Sequence, residues 1–215
     1  MFDMMTMLGN HASPWIHYLA GRHPGQVGWL VGPTTAGVKT FRDWLPYALD
    51  NDAWRAFTKG TPWDAVPFWD MLERIKGEIL RPLWVAVPDV VGDRVTTLAN
   101  WKRYAPRCRE FGHPLAFVAQ DGMTPGDVPA DADVVFLGGS FGWKWKNAET
   151  FCQAFPRVHI GRVNTLGKIR RSEEMGAESV DGTGWMRRPE DHSHGWKKLD
   201  DFLDGNPLPQ LNLEL

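Results

Sequence analysis

Leu115-Ala116-Phe117-Val118-Ala119-Gln120-Asp121-Gly122 and Val134-Val135-Phe136-Leu137-Gly138-Gly139-Ser140 share one design: a short apolar run closed by glycine and polar residues. Runs of this length bounded by turn residues read as buried strands, and a sheet buried on both faces is a parallel one. Working outward, the same reading gives strands at Met4–Leu8, Gly28–Val31, Tyr47–Leu49, Leu83–Val87, Leu115–Val118, Val134–Leu137, Val158–Ile160 and Ser179–Val180. Between them lie amphipathic stretches with helical spacing: Pro14–Ala20, Pro62–Lys76, Arg94–Glu110, Trp145–Ala154, Leu166–Met175 and Lys197–Leu203, with Ala36–Trp44 a weaker one. Strands alternating with helices make a parallel α/β domain. Eight such units in 215 residues suit a compact, closed (β/α)8 TIM-type barrel over residues 1–204, followed by a tail over 205–215. The competing open, doubly wound sheet lacks its usual GxGxxG after the first strand.

Composition narrows the class. With 43% hydrophobic and 23% charged residues the chain builds one globular core, and no apolar run approaches the length of a membrane span. The N-terminus has no basic region of the signal-peptide kind, and Cys108 and Cys152 match no zinc or disulfide pattern, so a reducing cytoplasmic setting is expected. A net charge of −2 excludes binding of nucleic acid by bulk basicity. Basic residues nevertheless gather late, at Arg162, Lys168, Arg170, Arg171, Arg187 and Arg188, as a solvated face or a local phosphate-binding surface. His192 and His194 form an isolated pair in a polar loop, and the expected metal requirement is none.

The strands end in chemistry. Asp50-Asn51-Asp52, Asp89, Gln120-Asp121-Gly122, Gly138-Gly139-Ser140, Arg162 with Asn164, and Asp181-Gly182-Thr183 all follow apolar runs. In a barrel such ends converge on one mouth. Asp50, Asp89 and Asp181 would bring three carboxylates there, suited to nucleophilic and acid/base work. Gln120 offers an amide, and Gly138 and Gly139 offer unshielded backbone N–H groups. The alternative is that Asp50 and Asp181 are only turn formers or helix caps.

At these residues the chain resembles the tRNA-guanine transglycosylase superfamily, and more closely its DNA-acting branch, which inserts 7-deazaguanine bases into viral and bacterial DNA. The match runs from about Tyr47 to about Thr183 and rests on Asp50-Asn51-Asp52-Ala53-Trp54, Gln120-Asp121-Gly122, Phe136-Leu137-Gly138-Gly139-Ser140, His159-Ile160-Gly161-Arg162-Val163-Asn164-Thr165 and Glu178-Ser179-Val180-Asp181. The resemblance implies that Asp181 attacks C1′ of a target nucleotide and that Asp50 is the acid/base. It places Asp89, Gln120, Gly138 and Gly139 around the base, and Arg162, Lys168, Arg170 and Arg171 on phosphates. The implied reaction exchanges guanine in DNA for a 7-deazaguanine such as 7-cyano-7-deazaguanine, without a cofactor. No cysteine follows Cys152, so the zinc subdomain of the tRNA enzymes is expected to be absent, which favours DNA over tRNA. A tRNA substrate, a catalytically silent DNA- or base-binding barrel, and a homodimer stay open. Twelve tryptophans should be mostly core, with Trp143, Trp145 or Trp185 available to stack on a base.

Overall fold

The computed structural model describes residues 5–9, 14–34, 44–78, 80–186 and 195–205. Eight strands, β1 (Thr6–Gly9), β2 (Val27–Val31), β3 (Tyr47–Leu49), β4 (Val85–Ala86), β5 (Leu115–Ala119), β6 (Val134–Leu137), β7 (Val158–Ile160) and β8 (Ser179–Asp181), pair in parallel in sequence order. β8 returns to β1, with Leu8 opposite Asp181, so the sheet closes into the expected (β/α)8 barrel. The helices are α1 (Pro14–Arg22), α2 (Ala53–Lys59), α3 (Ala65–Ile75), α4 (Arg94–Arg109), α5 (Phe141–Ala154), α6 (Leu166–Glu174) and α7 (Gly195–Leu203). Most of Ala36–Trp44, the pair His192 and His194, Arg187 and Arg188, and the tail beyond 205 lie outside the described residues.

Strand alternation divides the core in two. One set of buried side chains, including Leu8, Leu30, Ala48, Ala86, Val118 and Val134, fills the barrel. The other set points outward under the helices, as with Met7, Val27, Tyr47, Phe117 and Ile160. The same alternation turns His159 inward, where its ring lies 4.4 Å from Phe136 and 4.7 Å from Trp84 between centroids. Ser179 and Asp181 point the same way from β8, because Val180 belongs to the outer layer.

Three strands fall where the apolar runs put them, and β4 is much shorter than its run. Pro88 and the inward Trp84 bound it, and only Leu49↔Val85 pairs it with β3. β5 and β6, by contrast, share four residue pairs. Helix α2 has no apolar face to announce it: Trp54 and Phe57 are exposed and only Ala53 is buried. Helix α5 starts earlier than its periodicity suggests, because Ser140 caps it and is itself fixed by a 2.7 Å bond from its N–H to Asp121. The helical ring closes where α7 meets α1. Trp15 and Trp196 stack at 4.0 Å, and His23 Nε2 lies 2.7 Å from Asp200.

Candidate active site

The C-terminal ends of the strands enclose a cavity of ≈ 280 Å³. Its walls include Asp50, Asp89 and Asp181, so the three sequence-predicted carboxylates do meet. Leu30, Val118 and Phe136 supply an apolar floor. The mouth is thus a small slot rather than an open groove.

Asp50 follows β3 and is partly exposed to the cavity. Among the described residues its carboxylate accepts one bond, at 2.8 Å from the Asn51 N–H. Burial, reinforced by the negative charges of Asp52, Asp181 and Asp89, pushes its pKa up to about 8. Asp50 therefore carries a proton at neutral pH. Asp52 faces away: it occupies the N-cap position of α2 in a left-handed conformation (φ 62°), with its side chain bonded not to the helix but to the Thr34 N–H at 3.0 Å.

Asp89 belongs to a buried polar lattice. One of its oxygens accepts from Asn51 Nδ2 at 2.8 Å and the other from Gln120 Nε2 at 2.6 Å. Burial raises its pKa to about 6, and these two donors limit the rise, so the carboxylate is ionised at neutral pH. The Gln120 carbonyl accepts from the Gly92 and Gly139 N–H groups at 2.9 and 3.1 Å. Gln120 was expected to read a ligand edge; it does line the cavity, with its amide oxygen engaged by these backbone groups. The glycines serve packing as well as access. A Cβ on Gly138 would sit 2.9 Å from both Gln120 Nε2 and Val118, and Gly139 (φ 58°) would collide with Trp143.

Asp181 ends β8, with little of its surface exposed. Its carboxylate lies 3.1 Å from His159 Nε2, and His159 Nδ1 lies 2.8 Å from Ser179 Oγ. This chain of three inward groups orients the carboxyl toward the cavity. Behind it, the buried Lys144 of α5 donates to the Gly161 carbonyl. Burial and the positive charge of Arg162 bring the Lys144 pKa down to about 8. Neither His159 nor Lys144 was singled out from sequence. For His159 there was a signal, a polar residue facing opposite to Val158 and Ile160.

The four basic residues assigned to phosphates separate. Arg162 turns into the cavity wall, its guanidinium stacked 3.9 Å over Trp54 and bonded to the Gly139 carbonyl. Lys168 lies 3.7 Å over the Phe141 ring, and Arg171 donates to the Trp145 carbonyl at 3.2 Å, so both are engaged by helix α5. Arg170 is exposed. Of the three tryptophans considered for base stacking, Trp145 and Trp185 are buried and Trp143 is half-buried; Trp54, which was not among them, stands at the cavity.

No protein-family model matches the chain, and no curated protein matches it. Solved structures do. The chain is similar to tryptophan synthase from Pyrococcus furiosus: to a chain of its α2β2 complex (11% identity, TM-score 0.57, covering 95% of this chain and 98% of that one). It is likewise similar to a chain of a second structure of that complex (13%, TM-score 0.56, covering 94% and 98%) and to a mutant α subunit (12%, TM-score 0.57, covering 95% and 98%). At this level of identity the likeness is one of fold. The resemblance to guanine transglycosylases is corrected: no family model or curated protein of that kind matches the chain, and the solved structures that do match are of tryptophan synthase. The motifs behind that resemblance have local causes in this barrel. Gly138 clears space for Gln120, Gln120 ties strand ends together, and polar residues gather at strand ends in any such mouth. The exchange of guanine in DNA for a 7-deazaguanine falls with the family.

Proposed function

We propose that the protein is an enzyme of the acid–base kind, a lyase or isomerase that moves protons on a small polar substrate, with Asp50 as the acid and Asp181 as the base. The observation that carries this reading is the contrast between two carboxyls in one cavity. Asp50 is surrounded by apolar atoms and anions and holds its proton to about pH 8. Asp181 sits against His159, with the cations Lys144 and Arg162 near enough to feel its charge. A carboxyl held protonated by burial, set in one cavity with a second carboxyl, is an arrangement by which one site runs acid and base chemistry at a single pH. The floor of Leu30, Val118 and Phe136 suits a flat ligand, and Asp89, held rigid by Asn51 and Gln120, supplies an acceptor edge. The tryptophan synthase neighbours support the enzyme reading at the level of scaffold only.

Proton movement can be followed without knowing the substrate. The full chain is incubated in D2O with pools of small metabolites, and mass spectrometry reports deuterium entering any of them. Incorporation that disappears in both Asp50→Asn and Asp181→Asn supports the reading. Incorporation unchanged in both variants overturns it.

A further inference from the structure

The cavity is electrically lopsided. Its β3–β4 side carries Asp50 and Asp89, with Asp52 close behind. The opposite side, where β7 leads into α6, carries Arg162, with the Lys144 ammonium behind it and Lys168 near enough to act on Lys144. Asp181 lies on this side, but among the described residues Arg162 has no carboxylate within 4.0 Å. Asp181 and Asp121 reach it only as longer-range charges, and burial disfavours its charged form.

Arg162 is also held in an unusual way. Its backbone is left-handed (φ 59°), a conformation that suits glycine and is strained for arginine. The guanidinium is fixed on one side by the Trp54 ring and at one amino group by the Gly139 carbonyl. A fixed planar fork without a carboxylate partner, set in a cavity wall, is prepared for an anion supplied from outside. Asn164 and Thr183 line the same side with further hydrogen-bonding groups.

From this we infer that Arg162 is the substrate-recognition residue of the site and that the substrate carries an oxyanionic group, a phosphate or a carboxylate, which docks on the Arg162 side while its uncharged polar part faces Asp50 and Asp89. The inference rests on the acid–base reading in assigning the ligand as substrate. It differs from a nucleic-acid contact because Arg162 faces a small cavity and not an outer surface.

Calorimetric titration of the full chain with inorganic phosphate, and separately with acetate, is the test. Wild type should bind at least one of the two, and which one it binds names the oxyanion. Arg162→Gly accepts the left-handed backbone and so keeps the fold, yet it should weaken binding by about tenfold or more. Arg162→Lys keeps the charge but loses the fork and the stack, and should weaken it by less; this variant gives the answer if the glycine variant does not fold. Wild type binding neither anion, or either variant binding as tightly as wild type, overturns the inference. Anion binding requires no proton transfer. Wild type that binds the anion but drives no deuterium incorporation therefore counts against the acid–base reading alone, and wild type that drives incorporation but binds neither anion counts against Arg162 alone.

Discussion

A carboxyl that keeps its proton to about pH 8 leaves a trace in stability as well as chemistry. Below about pH 4 the folded and unfolded chains both carry the Asp50 proton, whose ordinary pKa is 3.8. Between there and about 8 the unfolded chain has released it and the folded chain has not. Asp50 therefore lowers stability as pH rises through that window, by up to about 1.4 kcal/mol per unit, and the loss levels off above pH 8. Asp50→Asn lacks this term, so denaturant titrations should show it gaining on wild type from pH 5 to pH 8 and holding level beyond; a constant difference would place the ionisation elsewhere. Asn51 is expected to matter in the opposite sense. Asn51→Ala removes donors to Asp89 and to the Val87 carbonyl, and should cost about 2–4 kcal/mol while moving the Asp89 carboxyl resonance to a higher titration midpoint. Asp50, Asp89 and Asp181 were legible because each closes an apolar run, and strand ends are where a barrel gathers function. His159 and Lys144 were not, because each lies inside an element whose neighbours are apolar, where a polar residue reads as a tolerated exception. What Gln120 bonds to was illegible for another reason: its partners, Gly92 and Gly139, come from two other strand ends.

Apolar runs placed β3, β6 and β7 at their observed limits, because each is bounded by residues that cannot continue a buried strand. They overextended β4, since a run marks burial and not ladder pairing, and Trp84 is buried without being in the strand. They missed α2, which is held by its ends, Asp52 and Gly60, and not by an apolar face. Helix α5 carries the element-scale test. Its Lys144 ammonium, with a pKa near 8 in place of 10.5, is protonated in both folded and unfolded chains below pH 8. Between 8 and 10.5 only the unfolded chain holds that proton, so in this window Lys144 adds stability as pH rises. Lys144→Met replaces a buried charge by an apolar chain of similar length and should be no less stable than wild type at pH 7. Its advantage should shrink between pH 8 and 10.5, as read by thermal unfolding across that range. A gap independent of pH would mean that the ammonium is solvated in a way the fold does not suggest.

A closed barrel has no first or last strand, so the ring of helices must also meet itself. The α1–α7 contact does this through the Trp15–Trp196 stack and the bond between His23 and Asp200, which Arg22 joins at 3.0 Å. Trp196→Ala should cost about 2–4 kcal/mol and still unfold in a single transition seen alike by fluorescence and circular dichroism; two transitions would mean that α7 is an independent appendage. The strand circle has a weak joint of its own at β3–β4, where the ladder is one pair long. Asn51, on the β3 side, reaches across it to the Val87 carbonyl at 3.0 Å and to Asp89. The polar lattice that shapes the cavity is therefore also the rivet across the joint. Local opening there would part Asp50 from Asp89 without disturbing β5–β6, so the amides of Leu49 and Leu83, which donate across the joint to the Trp84 and Tyr47 carbonyls, should exchange with solvent deuterium faster than those of Phe117 and Val135. A ligand that spans both aspartates would slow exchange at the joint and leave the far side of the barrel unchanged, so the binding of an unidentified substrate could be detected from backbone exchange before its chemistry is known.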